Sequence, residues 1–526
     1  MYSTLIKNGT IIDGTGSHPV KMDIALEGDQ IVAIDRNIPE KAYEIHDASG
    51  KIVTPGFVDV QNHSDSYWTL FDNPTFDSML TQGFTTVLLG QCGASLAPLL
   101  SKESLLSVRK WHDLSGSNIN WTTFSEYIEE LSKYRFGCNV ASLVGYSTLR
   151  RGLIGDAIRS LDRGELASIK AQLQGCLEAG AFGLSTGLSY SHEIIISELE
   201  LYELVELVSK AGKLFSMHLR SEAGEVLDSL EEALDIGRHT DVNLKISHLK
   251  IRGEENAHLG EQLVEGLETA FHKGTNVHYD IYPYDSIWQV VYAYLPKWSI
   301  SGGRANILEH INDPTDKKKL ISELAEQRTR LQSLIVASTG NQLGMVGKTI
   351  ADISKNTGLS TEEAFLELIK NAGSESLVFD SCVSPKLLAD LLVHPQAIIA
   401  TDGAGFAEVP RGFKLQDRLV HPRCFGSAPR FLKSIISTKK ITLEEGIKKL
   451  TSLPAEKIGL KKRGVLKVGN FADIVVFDPE TISDNASLMN PFQHSSGIDM
   501  VMVNGKTSVV GGVLNKNLSG YVLRKV

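Results

Sequence analysis

The stretch "TPGFVDVQNHSDSYW", residues 54–68, runs from apolar residues into a polar cluster holding one histidine, His63, and two acids, Asp59 and Asp65. A buried strand that ends in metal-binding groups has this form. A metal site of that kind usually takes two histidines one residue apart, and Gln61 stands where the first would sit. The stretch therefore allows an intact metal site, a weakened one, or a plain polar loop.

The same transition recurs along the middle of the chain. Short apolar runs such as "TTVLLG", "NVASLVG", "FGLST", "LFSMHL", "LKISHL", "VHYDIYPY", "SLIVAS" and "AIIATDG" alternate with amphipathic helical segments such as "SIKAQLQGCLEAG" and "ELYELVELVSKAG". Strand–helix alternation with near-continuous apolar strands predicts a parallel sheet. About eight repeats predict a (β/α)8 TIM-type barrel over residues 55–455. In such a barrel chemistry gathers at the C-terminal ends of the strands. Residues 288–335 break the rhythm and are read as a helical insertion near the barrel mouth, either a lid or a surface helical pair.

The two ends of the chain share another texture. "STLIKNGTII", "DIALEGDQIVAID" and "ASGKIVTPG" in residues 1–54 read as hairpin strands. So do "ADIVVFDP", "IDMVMVNGKTSVVGG" and "GYVLRKV" in residues 456–526. A small β-sandwich domain built from both termini accounts for them. The class is α/β.

Bulk composition narrows the function. With 526 residues, 42% hydrophobic and 22% charged, the chain reads as a globular enzyme with one large core and attachments. A net charge of −10 argues against a broad nucleic-acid or lipid surface, so the expected partner is a small molecule. No apolar run suits a bilayer and the N-terminus lacks signal-peptide character. The five cysteines, Cys92, Cys138, Cys176, Cys382 and Cys424, lack framework spacing. They read as reduced thiols of a cytoplasmic protein, monomeric or a small homo-oligomer.

Several of the expected strands end in a residue able to bind metal or carry a proton: Asp59 and His63, Cys92, His218, His248 and Asp402. Singly, each has an ordinary explanation as a hydrogen-bonded histidine, a small buried thiol or a turn aspartate. A barrel would converge them. Two imidazoles and a thiolate, Cys92, His218 and His248, make a three-ligand zinc set with a position left for water. Zinc lowers the pKa of such a water towards about 7, and a carboxylate in the place of Asp402 suits the proton transfers of amide hydrolysis.

The motifs "TPGFVDVQNHSD", "GQCGASLAPL", "GAFGLSTGLSY", "MHLRSE", "ISHLK", "DIYPY", "TDG" and "HPRCFGSAPRFL" occur in this order, with "LPKWSISGGRANILEHINDP" between and "GVLKVGNFADIVVFDPETISD" near the end. In this the chain resembles the N-acyl-D-amino-acid deacylases, the D-aminoacylase branch of the amidohydrolase superfamily, over nearly its whole length. The resemblance implies a zinc-dependent hydrolysis of N-acyl-D-amino acids. It makes Cys92, His218 and His248 the ligands of a tightly bound zinc and Asp402 the catalytic acid/base. Tyr190, Lys250, Tyr282 and Arg423 fall on motifs that hold the substrate carboxylate and neighbouring groups. His63 and Asp402 belong to a second, weaker metal site, which Gln61 in place of histidine degrades because an amide oxygen is a poor zinc ligand. Trp288, Tyr146 and a long segment between Asp402 and Arg423 depart from the family pattern and bear on specificity. Two alternatives stay open: the same zinc chemistry on a cyclic amide, lactone or D-residue peptide, and a non-catalytic scaffold.

Overall fold

A computed structural model describes the chain apart from residues 40, 110–117, 191, 301–302, 340–342, 373–375, 409–417, 516 and 526. The apolar runs of the middle form two parallel sheets. One holds Phe57–Asp59, Phe84–Leu89 and Asn139–Ser142. The other runs Val144–Gly145, Gly183–Gly187, Leu214–His218, Asn243–Ile246, Val277–Ile281 and Ala397–Ile399. Only Leu143 separates Asn139–Ser142 from Val144–Gly145. At the opposite edges Asn62 and Gly403 form an isolated parallel bridge, and Thr401 Oγ1 donates to Asp59 Oδ2 at 2.6 Å.

These strands are buried on both faces, as the six consecutive buried residues of Phe84–Leu89 show. That is why they read as continuous apolar runs. The helices that follow carry their own start signals. Arg163–Glu178 begins with a capping box of Asp162 and Glu165, and Glu198–Lys210 is capped by the Ser197 hydroxyl. Their apolar stripes, including Leu173, Leu177, Leu201 and Leu204, join the main core.

Strands from both ends of the chain pair into one nine-stranded sheet. Its two halves meet where Ile474–Phe477 runs antiparallel to Ile52–Pro55. Ile6, Ile24, Val53, Ile474 and Met502 share one core there. A buried polar network fastens this sheet to the parallel strands. Arg463 pairs with Asp473 and donates to Asn504 Oδ1 at 2.8 Å; Asn504 Nδ2 donates to Asn139 Oδ1, also at 2.8 Å.

Two expectations change at the insertion. "SLIVAS" is a strand, Ile335–Ser338, but it pairs antiparallel with Leu377–Ser381 and belongs to neither parallel sheet. The third member is Ser286–Val290. The helical stretch expected over 288–335 is thus part of a longer unit reaching Ser381. Its helices Pro314–Leu324, Ile350–Thr357 and Thr361–Ala372 pack around Leu320, Ile350, Phe365 and Val378. An apolar run of strand length does not reveal which partner it will find. No helix among the described residues is long and apolar enough to cross a membrane.

Candidate active site

The site lies beyond the C-terminal ends of the parallel strands, where buried apolar runs give way to short loops. Cys92 follows Phe84–Leu89, His218 ends Leu214–His218, His248 follows Asn243–Ile246 and Asp402 follows Ala397–Ile399. Three of these residues hold left-handed backbone: Cys92 at φ 51°, His248 at φ 36° and Asp402 at φ 48°. Non-glycine residues adopt it at a cost, and packing around the strand ends sustains it here.

The ligand atoms of Cys92, His218 and His248 lie within 4.8 Å of one another, and all three residues are buried. Cys92 Sγ is 3.4 Å from His248 Nε2, and the two imidazoles meet edge to face with centroids 4.4 Å apart. Among the described residues this is the one such trio of His, Cys, Asp or Glu side chains. Burial opposes ionisation of the Cys92 thiol. The charge of His248 and hydrogen bonds from the surrounding histidines outweigh it and hold the thiol well below its ordinary value. Burial and Lys250 push His248 down, but Asp402, Cys92 and Glu222 prevail and raise it to about 10. Cys92, His218 and His248 could hold a metal ion here, with the Cys92 sulfur offered as thiolate and His248 giving up its imidazole proton.

Glu222 completes the shell behind His248. Its Oε1 lies 3.0 Å from His248 Nδ1 and 2.6 Å from Lys250 Nζ. Lys250 Nζ lies 2.9 Å from the same Nδ1. With the imidazole neutral and its proton on Nδ1, the ring donates to that carboxylate and turns its Nε2 lone pair towards Cys92. This is how metal-binding histidines are usually oriented. His218 Nε2 lies 2.7 Å from Ser189 Oγ.

Asp402 is gripped from two sides, by Arg423 Nη1 at 2.7 Å and by His63 Nε2 at 3.1 Å. Burial raises its pKa, yet Arg423, His248 and His63 together carry it well below the usual carboxylate range. His63 in turn rises to about 9, because the hydrogen bond to Asp402 and the neighbouring Cys92 outweigh its burial.

One pocket is lined by His63, Cys92, Tyr190, His218, His248, Lys250, Tyr282, Asp402 and Arg423; Asp59, singled out with them at a strand end, does not line it and instead accepts hydrogen bonds from Thr401 Oγ1 and Asn62 Nδ2. Trp288 lines it too, stacked on Tyr67 at 4.8 Å. Tyr146 does not: its hydroxyl bonds to Glu200 beside Arg150, inside the core. Part of the long segment between Asp402 and Arg423 lies outside the described residues. Sequence reasoning missed Glu222, Tyr67, Ile287 and Gln289 among the lining residues. Glu222 alone had a visible signal, four residues beyond His218 in "MHLRSE".

An amidohydrolase family profile matches residues 427–509. The N-acyl-D-aspartate deacylase of Alcaligenes xylosoxydans xylosoxydans is 30% identical over 523 residues, which cover 99% of this chain and 94% of that protein. The chain belongs to the N-acyl-D-amino-acid deacylase family of amidohydrolases. Its fold matches the N-acyl-D-glutamate deacylase of Bordetella bronchiseptica, solved with zinc and a phosphonate mimic of the tetrahedral intermediate, with a TM-score of 0.83 at 29% identity over 99% of both chains. A D-aminoacylase described as having a binuclear metal centre, with one-metal activation and second-metal attenuation, gives a TM-score of 0.84 at 28% identity over the full length of both. Members of this deacylase family are hydrolases of linear amides. In this chain the Cys92, His218 and His248 donors suit zinc in number and type.

Proposed function

We propose that this chain hydrolyses N-acyl-D-amino acids to a carboxylate and a free D-amino acid, with one zinc ion held by Cys92, His218 and His248. The observation that carries the reading is the trio of ligand atoms within 4.8 Å, beside the buried Asp402, in a pocket that also holds two cations, Lys250 and Arg423. When bound, zinc supplies Lewis acidity, which polarises an acyl carbonyl and makes water a nucleophile near neutral pH.

Asp402, ionised through Arg423 and His63, accepts a proton from the attacking water and delivers it to the departing nitrogen. Lys250 and Arg423 orient the substrate carboxylate by charge-assisted hydrogen bonds. Tyr282 lies under the Arg423 guanidinium, 4.7 Å from ring centre to cation, and steadies it; Tyr190 closes the pocket beside His218. The two parallel sheets form one (β/α)8 barrel, a reading supported by the single residue between them at Leu143 and by the Asn62–Gly403 bridge. The sheet of both termini is its attached β domain, and the unit from Ser286 to Ser381 overhangs the pocket through Trp288.

The test is amine release from paired N-acetyl-D- and N-acetyl-L-amino acids with Met, Leu, Phe, Glu and Asp side chains. Turnover of the D-forms alone is expected. If zinc-loaded protein released amine from none of them, the deacylase reading would fail and cyclic amides and D-residue peptides would take its place.

A further inference from the structure

Lys245, on the strand Asn243–Ile246, is fully buried beneath the site. Its ammonium donates to Gln61 Oε1 at 2.6 Å, pairs with the Asp280 carboxylate and reaches Ser247 Oγ at 3.4 Å. The other end of the Gln61 amide, Nε2, donates to Cys92 Sγ at 3.2 Å. The second Asp280 oxygen accepts the backbone N–H of His248 at 2.7 Å. A row of side chains thus runs from Asp280 through Lys245 and Gln61 to Cys92, and its far end also holds the backbone of His248.

The row has one polarity. Turning the Gln61 amide over would set its NH2 group against an ammonium and its oxygen against a thiolate. Lys245 therefore fixes which face of the amide meets Cys92. That face is a donor and offers a cation nothing. The one good ligand atom of Gln61 is already taken by the ammonium. Another group a second ion would need is engaged by a fixed cation as well: Asp402 Oδ2 pairs with Arg423. These residues do not fit the second ion of a binuclear centre such as that described for the similar D-aminoacylase.

We propose that the Lys245 ammonium stands in for a second metal ion: a cation built into the chain, coupled to Cys92 through Gln61, that limits the site to a single ion. Asp280 compensates the cost of burying the ammonium. The inference rests on the reading of Cys92, His218 and His248 as ligands of one zinc. Unlike a second ion, a lysine does not dissociate, so the site is insensitive to excess metal.

Metal-free protein titrated with cobalt(II) tests this. The readouts are metal content per chain and the thiolate-to-cobalt charge-transfer absorption, which responds to ions at Cys92 and ignores those on the surface. The absorption is expected to saturate at one ion per chain. The double variant Lys245→Met/Gln61→His, freed of the ammonium and given an imidazole, is expected to take a second ion with a further change in the band. Two ions at Cys92 in the unaltered protein would overturn the inference while leaving the zinc reading intact. No ion at Cys92 would overturn both. A folded double variant that still stopped at one ion would show that Lys245 and Gln61 are not what limits the site. If that variant does not fold, the unaltered protein decides by its own saturation point.

Discussion

Asp402 Oδ2 lies 2.7 Å from Arg423 Nη1, inside a pocket where both groups are buried. The pair keeps a carboxylate ionised where burial alone would protonate it. Asp402→Asn preserves the shape and removes the proposed base. Its kcat is expected to fall by about 10²–10⁴-fold, with zinc content unchanged. Retention of full turnover would remove Asp402 from proton transfer.

Arg423→Met takes away the foremost charge that lowers the Asp402 pKa. Less positive charge nearby means that Asp402 holds its proton to a higher pH. The acid limb of the kcat–pH profile is therefore expected to move upward, along with a rise in KM from loss of the proposed contact with the substrate carboxylate. An acid limb that stayed in place would mean that Asp402 does not set it.

Cys92→Ala removes one of the three donors of the trio. Zinc and activity are expected to be lost together, as read by metal analysis and amine release on the same sample. Glu222→Gln leaves the trio intact but weakens the acceptor behind His248 Nδ1. Zinc affinity is expected to drop by about 10–100-fold, and saturating zinc should restore much of the turnover.

Trp288 and Tyr67 stack at 4.8 Å with an 11° angle between rings, and both line the pocket. Trp288→Ala removes that wall. The ratio of kcat/KM for bulky over small substrates is expected to rise by roughly tenfold or more, the scale of one methylene in an apolar pocket. The measurement is a series of acyl chains and D-side chains, which also reports which substrate group the wall touches.

Lys449 is buried, donates to the carbonyls of His394 and Ala397, and is pushed down by desolvation to about 7 from its ordinary 10.5. Between those two values the unfolded chain binds a proton that the folded chain lacks. Folding stability therefore rises with pH across the window, by up to about 1.4 kcal/mol per pH unit for this group. Denaturant unfolding from pH 7 to 10 is expected to show the rise, and Lys449→Met to flatten it. Lys213, lowered to about 8 by desolvation, contributes in the same direction.

The amino-acid order alone determined the alternation of apolar strands and amphipathic helices, and the metal-competent or titratable residues that follow several of those strands, Cys92, His218 and His248 among them. These are local features: a strand buried on both faces must be apolar throughout, and the first polar residue after it marks where it leaves the core. Partnership is not local. "SLIVAS" has the length and composition of a parallel strand, and only its antiparallel neighbour Leu377–Ser381 assigned it to another sheet. Lys245 alternates with Leu244 and Ile246 like any solvent-facing lysine of a strand, yet its ammonium is buried because Gln61 and Asp280, from distant parts of the chain, converge on it. Glu222 reads as an acid in a polar loop until folding sets it behind His248. Chain order specified which groups were available. The meeting of strand ends decided which of them touch, because charge pairing and ligand geometry depend on distances through space.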